Sequence, residues 1–453
     1  MNPDSKFLIE LFSQLNRDRL NYCILRNYEK LPESIGNDVD IWVKSGEELK
    51  FQKIILKVAK KLEWKLIKYL PWIQNKGEGR YFFIKEEQQF IVLHIDCFTH
   101  INWKGISYVN ENIFPKYISF YKKGFYIIAP PIEVSILLVK TLLFEGKIAD
   151  KYKERIIKYS KKYPEIFIEA IRKPFSKHVA KIIYNLTKKE EWDIIEKKVN
   201  YFRWKLILHS ALNRPFYQLK NCINYFYSRI KERTFLNHGF FIALIGPDGS
   251  GKTTIAKATM YSDMIKKLFP NKRYIYRNFG ILPELKVYAS LFKLNKYRTK
   301  NYIQTKAIRE NGTPFSFFRS MIYPVYYGIE YFLGRFFVWK EKGKNKLIIF
   351  DRYFYEYLLQ KQFEKCPRWF LLFISKIIAK PDALIFLKNN PKVIYSRKQE
   401  LYIEEIERQS KICEEIVIRF PDGFIIETSC TPKEVVKKIQ RIMLNKINKN
   451  IKF

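Results

Sequence analysis

Three groups of residues could carry chemistry. The first is Gly246-Pro247-Asp248-Gly249-Ser250-Gly251-Lys252-Thr253, which fits the pattern G-x-x-x-x-G-K-[ST] and is followed by Thr254. Glycines at this spacing let backbone N–H groups converge on a phosphate chain at the positive end of a helix. Gly246, Asp248, Gly249, Ser250, Gly251, Lys252, Thr253 and Thr254 are therefore the expected nucleotide contacts. Lys252 should reach the β- and γ-phosphates, and the Thr253 hydroxyl should ligate Mg²⁺. The second group follows an apolar run, Lys346 to Phe350, and reads Asp351-Arg352-Tyr353. A carboxylate at the end of a strand beside a phosphate loop can hold Mg²⁺ through water or position an acceptor, and Arg352 can grip phosphate with two parallel bonds. The third group is Asp38 and Asp40, two residues apart, with Asp96 further on. Three carboxylates on neighbouring strands would make a two-metal site for nucleotidyl transfer.

The surrounding pattern predicts what must position these groups. From 237 to 453 short apolar strands at Phe240–Ile245, Tyr274–Tyr276, Lys346–Phe350, Ala383–Leu387 and Phe424–Glu427 alternate with helical stretches. That alternation predicts an α/β domain with a mostly parallel sheet covered on both faces. The loop then sits directly after a buried-type strand and before a helix, as its chemistry requires. Residues 1–130 mix helix and strand, an α+β pattern. A helix is expected at Phe7–Leu15. Strands are expected at Tyr22–Leu25, Asp38–Val43, Tyr81–Ile84 and Phe90–Cys97. Ser45 followed by Glu48 reads as a capping box opening a helix to about Leu62. Alternation on Asp38–Val43 would put both carboxylates on one face. Residues 131–236 read as a helical appendage and connector, opening with Pro131–Phe144. Between Lys197 and Lys231 there are eight Lys or Arg, no Asp or Glu, and eight aromatics. The expectation there is a connector whose aromatics pack between the flanking domains. The other reading is a basic amphipathic surface for a membrane or nucleic acid.

Composition sets limits. The chain has 453 residues, 47% of them apolar and 17% aromatic, with only 17 Gly and 19 Pro, which excludes disorder or a collagen-like chain. The net charge of +38 is spread over the whole length. It accompanies enrichment in Lys, Ile, Asn, Tyr and Phe, as in A/T-rich genomes. Nucleic acid is therefore not the favoured partner, and phosphorylated ligands or an anionic membrane surface suit the charge at least as well. Six scattered Cys without ligand spacing, no apolar run long enough to span a bilayer, and an N-terminus without a leader pattern point to a reduced, cytoplasmic protein without structural zinc. A peripheral seat at the inner face of the membrane through 197–231 is the variant of that reading.

The loop together with Asp351-Arg352-Tyr353 resembles the thymidylate kinase family. In the same order follow Pro381–Leu387 with Asn390-Pro391 and Arg397-Lys398, similar to that family's strand, turn and lid, and Ile425–Ser429 with a helix from Pro432, similar to its last strand and helix. The resemblance covers about 240–443. It implies a nucleoside-monophosphate-kinase-like fold that uses ATP and Mg²⁺. It also implies a lid in which Arg397, with Lys398 and Arg408 behind it, stabilises transition-state charge. Arg277, Arg352 and Tyr353 become the expected acceptor contacts. The family's Arg-Glu-Pro stretch is replaced by Tyr276-Arg277-Asn278-Phe279-Gly280, and 280–346 is longer and more aromatic. These departures fall where the acceptor would bind, and the layout is closer to thymidylate-kinase-like proteins of bacterial surface-polysaccharide gene clusters. Residues 5–130 resemble the polymerase-β-type nucleotidyltransferases. Their Gly-Ser pair is replaced by Leu25-Arg26-Asn27-Tyr28-Glu29, so either Arg26 or Asn27 substitutes as the triphosphate contact or triphosphate binding is altered. His94 and His100 read as packing or turn residues.

The expected function is ATP-dependent phosphorylation of a nucleotide or a sugar- or polyol-type acceptor, fused to a nucleotidyltransferase-like domain, for surface glycan precursors. The alternative is a P-loop NTPase switch acting with nucleic acid or a membrane. A scaffold that keeps both folds without the chemistry is the third reading, which intact Lys252, Thr253 and Asp351 oppose for the kinase half.

Overall fold

A computed structural model describes residues 1–71, 77–213, 215–234, 239–285 and 314–449. The chain forms two compact units, Met1–Ile230 and Lys231–Lys452.

The first unit contains β1 (Tyr22–Ile24), β2 (Val39–Val43), β3 (Lys65–Pro71), β4 (Gly79–Glu86), β5 (Phe90–Phe98), a small hairpin of β6 (Asn102–Trp103) and β7 (Ile106–Ser107), β8 (Ile118–Tyr121) and β9 (Phe125–Ile128). Seven of these form one sheet in the order β3-β4-β5-β2-β1-β9-β8. The pairs β2–β5 and β1–β9 are parallel, and the others antiparallel. Strand β2 is buried along its whole length, because both faces of the sheet are covered. Val39, Ile41 and Val43 face a core built with Phe7 and Leu11 of helix Pro3–Arg17 and Phe51 and Ile55 of helix Glu48–Lys61. Trp42 faces a second core, with Leu138, Phe167 and Phe202 of helices Pro130–Phe144, Pro164–Lys188 and Val199–Asn213. The helices after residue 130 thus share a core with the sheet.

One local expectation needs correction. Ser45 makes no cap: helix Glu48–Lys61 has Glu47 at its N-cap without a side-chain bond. Instead the Glu48 carboxylate reaches back to accept from the Gly46 amide at 2.6 Å. In the basic aromatic stretch, Phe202 is buried in the core of the first unit, and Trp204, Phe216, Phe226 and Tyr227 are exposed.

The second unit has five strands, β10 (Phe240–Ile245), β11 (Asn271–Tyr276), β12 (Lys346–Asp351), β13 (Ala383–Lys388) and β14 (Gly423–Glu427). They form one sheet in the order β11-β12-β10-β13-β14, with every pair parallel. The central strand β10 is buried at all six positions, which explains its unbroken apolar sequence. Chain order departs from β10 in both directions, to β12 on one side and β13 on the other. Its carboxyl end is therefore a topological switch point, where such sheets bind ligands. A 26-residue helix, Phe317–Lys342, fills part of the long aromatic stretch; residues 286–313 of that stretch lie outside the described residues. Among the described residues no helix is long and apolar enough to cross a membrane. The six cysteines are free thiols.

Candidate active site

The loop 246–251 connects β10 to helix Lys252–Tyr261. Its turn demands glycine. Gly249 has φ +92°, and a Cβ there would sit 3.2 Å from the Ile394 carbonyl oxygen and 3.3 Å from Lys398 Cβ. A Cβ on Gly246 would meet Ser250 Oγ at 2.9 Å. Lys252 is buried inside this turn, and its ammonium donates to the carbonyls of Gly246 (2.6 Å) and Pro247 (2.9 Å).

Parallel pairing of β10 with β12 sets Leu244 opposite Asp351, so the carboxylate arrives at the same edge as the loop. Asp351 is wholly buried. One of its oxygens, Oδ2, accepts from Thr253 Oγ1 at 2.5 Å and from Tyr274 OH at 2.7 Å. Burial and this bond push the Tyr274 hydroxyl up to about 12. The other oxygen, Oδ1, is buried without a hydrogen-bond partner, and so is Ser250 Oγ. Orphaned polar atoms of this kind, beside a loop of inward amides, suit a cation and a phosphate chain. Thr253 and Asp351 form a hard oxygen set fitted to Mg²⁺.

Two arginines stand at neighbouring strand ends in left-handed backbone geometry, Arg277 (φ 62°) after β11 and Arg352 (φ 69°) after β12. Such conformations are unfavourable for non-glycine residues and cluster at functional sites. The Arg277 amide donates to the Asp351 carbonyl at 3.0 Å, and the Arg352 amide to that of Leu244 at 3.2 Å. Both guanidiniums lie over the Tyr276 ring, at 5.4 Å and 5.2 Å. Arg352 also pairs with Asp248 at 2.5 Å. Burial alone would raise the Asp248 carboxyl, but Lys252 and Arg352 hold it below the usual range.

A cleft of about 470 Å³ opens over the loop. Arg352, Arg397 and Lys398 line it, as do Thr428, Cys430 and Pro432 after β14. Arg397 ends helix Pro391–Arg397, whose start is fixed by Asn390 accepting from the Lys392 amide. The structure thus brings together Gly249, Ser250, Gly251, Lys252, Thr253, Thr254, Asp248, Arg352 and Arg397.

Two expected residues lie elsewhere. Tyr353 is buried, and its hydroxyl donates to the Ala379 carbonyl. It packs on Phe350 and Tyr331 and is a core residue, not an acceptor contact. Arg408 forms a fork with Glu405 (2.7 and 2.8 Å) and also donates to the Leu359 carbonyl, so it ties helices together. The sequence reading also passed over Glu356. This lone acid in the run Tyr353-Phe354-Tyr355-Glu356-Tyr357 lies four residues after Arg352, and its Oε1 is 3.9 Å from Arg352 Nε. An isolated carboxylate in an aromatic stretch was the signal available.

In the first unit the parallel register of β2 and β5 places Asp40 opposite Asp96. Ligand atoms of Asp38, Asp40 and Asp96 lie within 4.8 Å of one another. Arg26 pairs with Asp40 and reaches Asp38 at 3.6 Å. Burial, then the charge of Asp40, raises the Asp38 carboxyl despite Arg26. His94 stacks on Phe82 at 4.1 Å, with Nε2 2.6 Å from Asp96 Oδ1. His100 Nδ1 meets Thr99 Oγ1 at 2.9 Å.

Against known proteins, no family model matches the chain. A protein of Staphylothermus marinus described as "Probable thymidylate kinase" is 30% identical over 165 residues, 36% of this chain and 71% of that relative. The chain belongs to the thymidylate kinase family. Solved thymidylate kinases from Ehrlichia chaffeensis and Candida albicans are also similar. The first is 14% identical and aligns over 45% of this chain and 98% of its own, with a TM-score of 0.31. The second is 18% identical over 47% and 93%, again with a TM-score of 0.31. Thymidylate kinase membership accounts for a kinase-type P-loop unit; it leaves Met1–Ile230 to be read from its own residues.

Proposed function

We propose that the chain is an ATP-dependent phosphotransferase whose acceptor is a nucleotide or a sugar- or polyol-type compound. The observation that carries this is the contact of Thr253 with Asp351 beside buried Lys252, at the switch point of a parallel sheet. Residues 246–254 would hold the phosphates of ATP, and Thr253 and Asp351 would hold Mg²⁺, which neutralises charge on the transferring phosphoryl group. Lys252 already points its ammonium into the loop. Arg352 and Arg397 add positive charge on the cleft wall, and Arg277 extends it toward β11. These groups stabilise charge that builds up during in-line transfer. Incubation with γ-labelled ATP, Mg²⁺ and a panel of nucleoside monophosphates, sugars, polyols and sugar phosphates tests the reading. Label should move to one acceptor and stop moving in Lys252→Ala.

The carboxylates of the first unit support a second activity. Asp38, Asp40 and Asp96 form a donor set suited to a divalent cation, and Arg26 supplies the neighbouring positive charge for a triphosphate. The domain would transfer a nucleotidyl group, or bind the substrate of the kinase unit, and so serve surface glycan precursors in the cytoplasm. One observation favours a different reading: Trp204, Phe216 and Phe226 are exposed on helices rich in Lys and Arg. On that reading the P-loop unit is an NTPase switch. Release of free phosphate, rising with anionic vesicles or nucleic acid and without an acceptor product, would decide for it.

A further inference from the structure

Glu356 opens the short helix Glu356–Leu359, anchored by its amide donating to the Tyr353 carbonyl at 3.0 Å. Its side chain is only 13% exposed. The charged groups that face it are Lys252 and Asp248 from the phosphate loop, Arg352 from the end of β12 and Arg277 from the end of β11. Tyr331, Tyr357 and Cys413 complete its titratable surroundings. Its cations are thus the ones assigned above to phosphate. A structural carboxylate is normally consumed by its partner. Here Arg352 gives its close contact to Asp248 and leaves Glu356 at 3.9 Å, beyond hydrogen-bond range. Burial pushes the Glu356 carboxyl up to about 7, against the pull of Lys252 and Arg352.

The two classes of acceptor make opposite demands on such a group. A monophosphate brings its own negative charge, and its attacking oxygen carries no proton that must leave. Cations suffice to bind it, and no base is needed beside it. A hydroxyl is neutral, and its proton must go to a base as the new bond forms. A carboxylate with its affinity for protons near neutrality is suited to take it.

We propose that Glu356 is the proton acceptor of the transfer step, and that the group phosphorylated is an alcohol hydroxyl of a sugar, polyol or nucleoside rather than a monophosphate. This rests on the phosphotransferase reading above. The hydroxyl oxygen forms a bond to the γ-phosphorus of ATP. The bond from that phosphorus to the β–γ bridging oxygen breaks, and ADP leaves with its electron pair. The hydroxyl proton passes to the Glu356 carboxylate.

The full-length protein, γ-labelled ATP and Mg²⁺ provide the test, with one panel of alcohols and one of nucleoside monophosphates. The expected result is label on an alcohol as a phosphomonoester. Glu356→Gln should then lower kcat roughly 10²- to 10⁴-fold while binding a fluorescent ATP analogue as wild type does. Glu356→Asp, which keeps a carboxylate, should lose less, and it carries the comparison if the Gln variant does not fold. Label on a monophosphate, with Glu356→Gln within tenfold of wild type, overturns the inference and leaves phosphotransfer standing. Label on neither panel by a protein that binds the analogue also overturns it. Failure of wild type to bind the analogue removes the phosphotransferase reading itself.

Discussion

Thr253 and Asp351 are separated by 98 residues, yet the threonine hydroxyl donates to the aspartate carboxylate over 2.5 Å. The contact follows from two adjacent parallel strands that end at the same edge, one carrying the phosphate loop and the other the acid. The carboxylate keeps its second oxygen without a partner. Asp351→Asn tests what that oxygen is for. We expect phosphate transfer to fall by roughly 100-fold or more, on the scale of losing one preorganised electrostatic group. Saturating MgATP stabilises a binding protein by about 2.7 kcal/mol at a hundred times Kd. That increment, read as a rise in Tm, should shrink in the variant while Tm without ligand stays nearly constant.

Tyr353 separates packing from binding. Its hydroxyl is buried on the Ala379 carbonyl, so Tyr353→Phe leaves that carbonyl without its donor. The expected cost is about 1–3 kcal/mol of stability in thermal or denaturant unfolding. KM for ATP and for the acceptor should not change. A raised acceptor KM at unchanged Tm would return Tyr353 to the binding site.

The carboxylate cluster of the first unit makes a separate prediction. Asp38→Ala with Asp40→Ala should abolish the Mn²⁺ site seen by titration of the full-length protein without nucleotide. Arg26→Gln should act the other way. Arg26 now neutralises Asp40 and Asp38, so its removal leaves more negative charge for a cation and should tighten Mn²⁺ binding severalfold. Unchanged titrations in both variants would show that the cluster is only an internal ion-pair network.

How far the sequence discloses this site depends on the range of the interactions that build it. The phosphate loop is local: glycine spacing and a preceding apolar strand suffice to place the turn from Gly246 between β10 and the helix Lys252–Tyr261. Asp351 was legible because it ends a buried-type strand downstream of that loop. The pairing of Asp40 with Asp96 rests on a parallel register between strands more than fifty residues apart, which periodicity does not encode. Tyr353 was misassigned because a turn after a strand can aim either way, and only the packed neighbours Phe350 and Tyr331 decide. Ser45 lost its capping role to the Gly46 amide and Glu48, a competition between two equally local hydrogen-bonding patterns. Glu356 is not legible because the charges that act on it, those of Lys252 and Arg277, belong to other elements.

The last prediction concerns pH. In the unfolded chain Glu356 should release its proton near 4.5, its ordinary value, whereas burial raises it to about 7 in the folded state. Between those values the folded state holds more protons than the unfolded one, so stability falls as pH rises through the window. Below about 4.5 both states are protonated and the contribution vanishes; well above 7 the full cost is present, on the order of 3 kcal/mol. Glu356→Gln carries no proton to lose. The difference in Tm between variant and wild type should therefore be small at pH 5 and grow in favour of the variant by pH 8. A difference that is flat with pH would mean that Arg352 and Lys252 hold Glu356 ionised throughout, and its part in proton transfer would then have to be read from the kinetics alone.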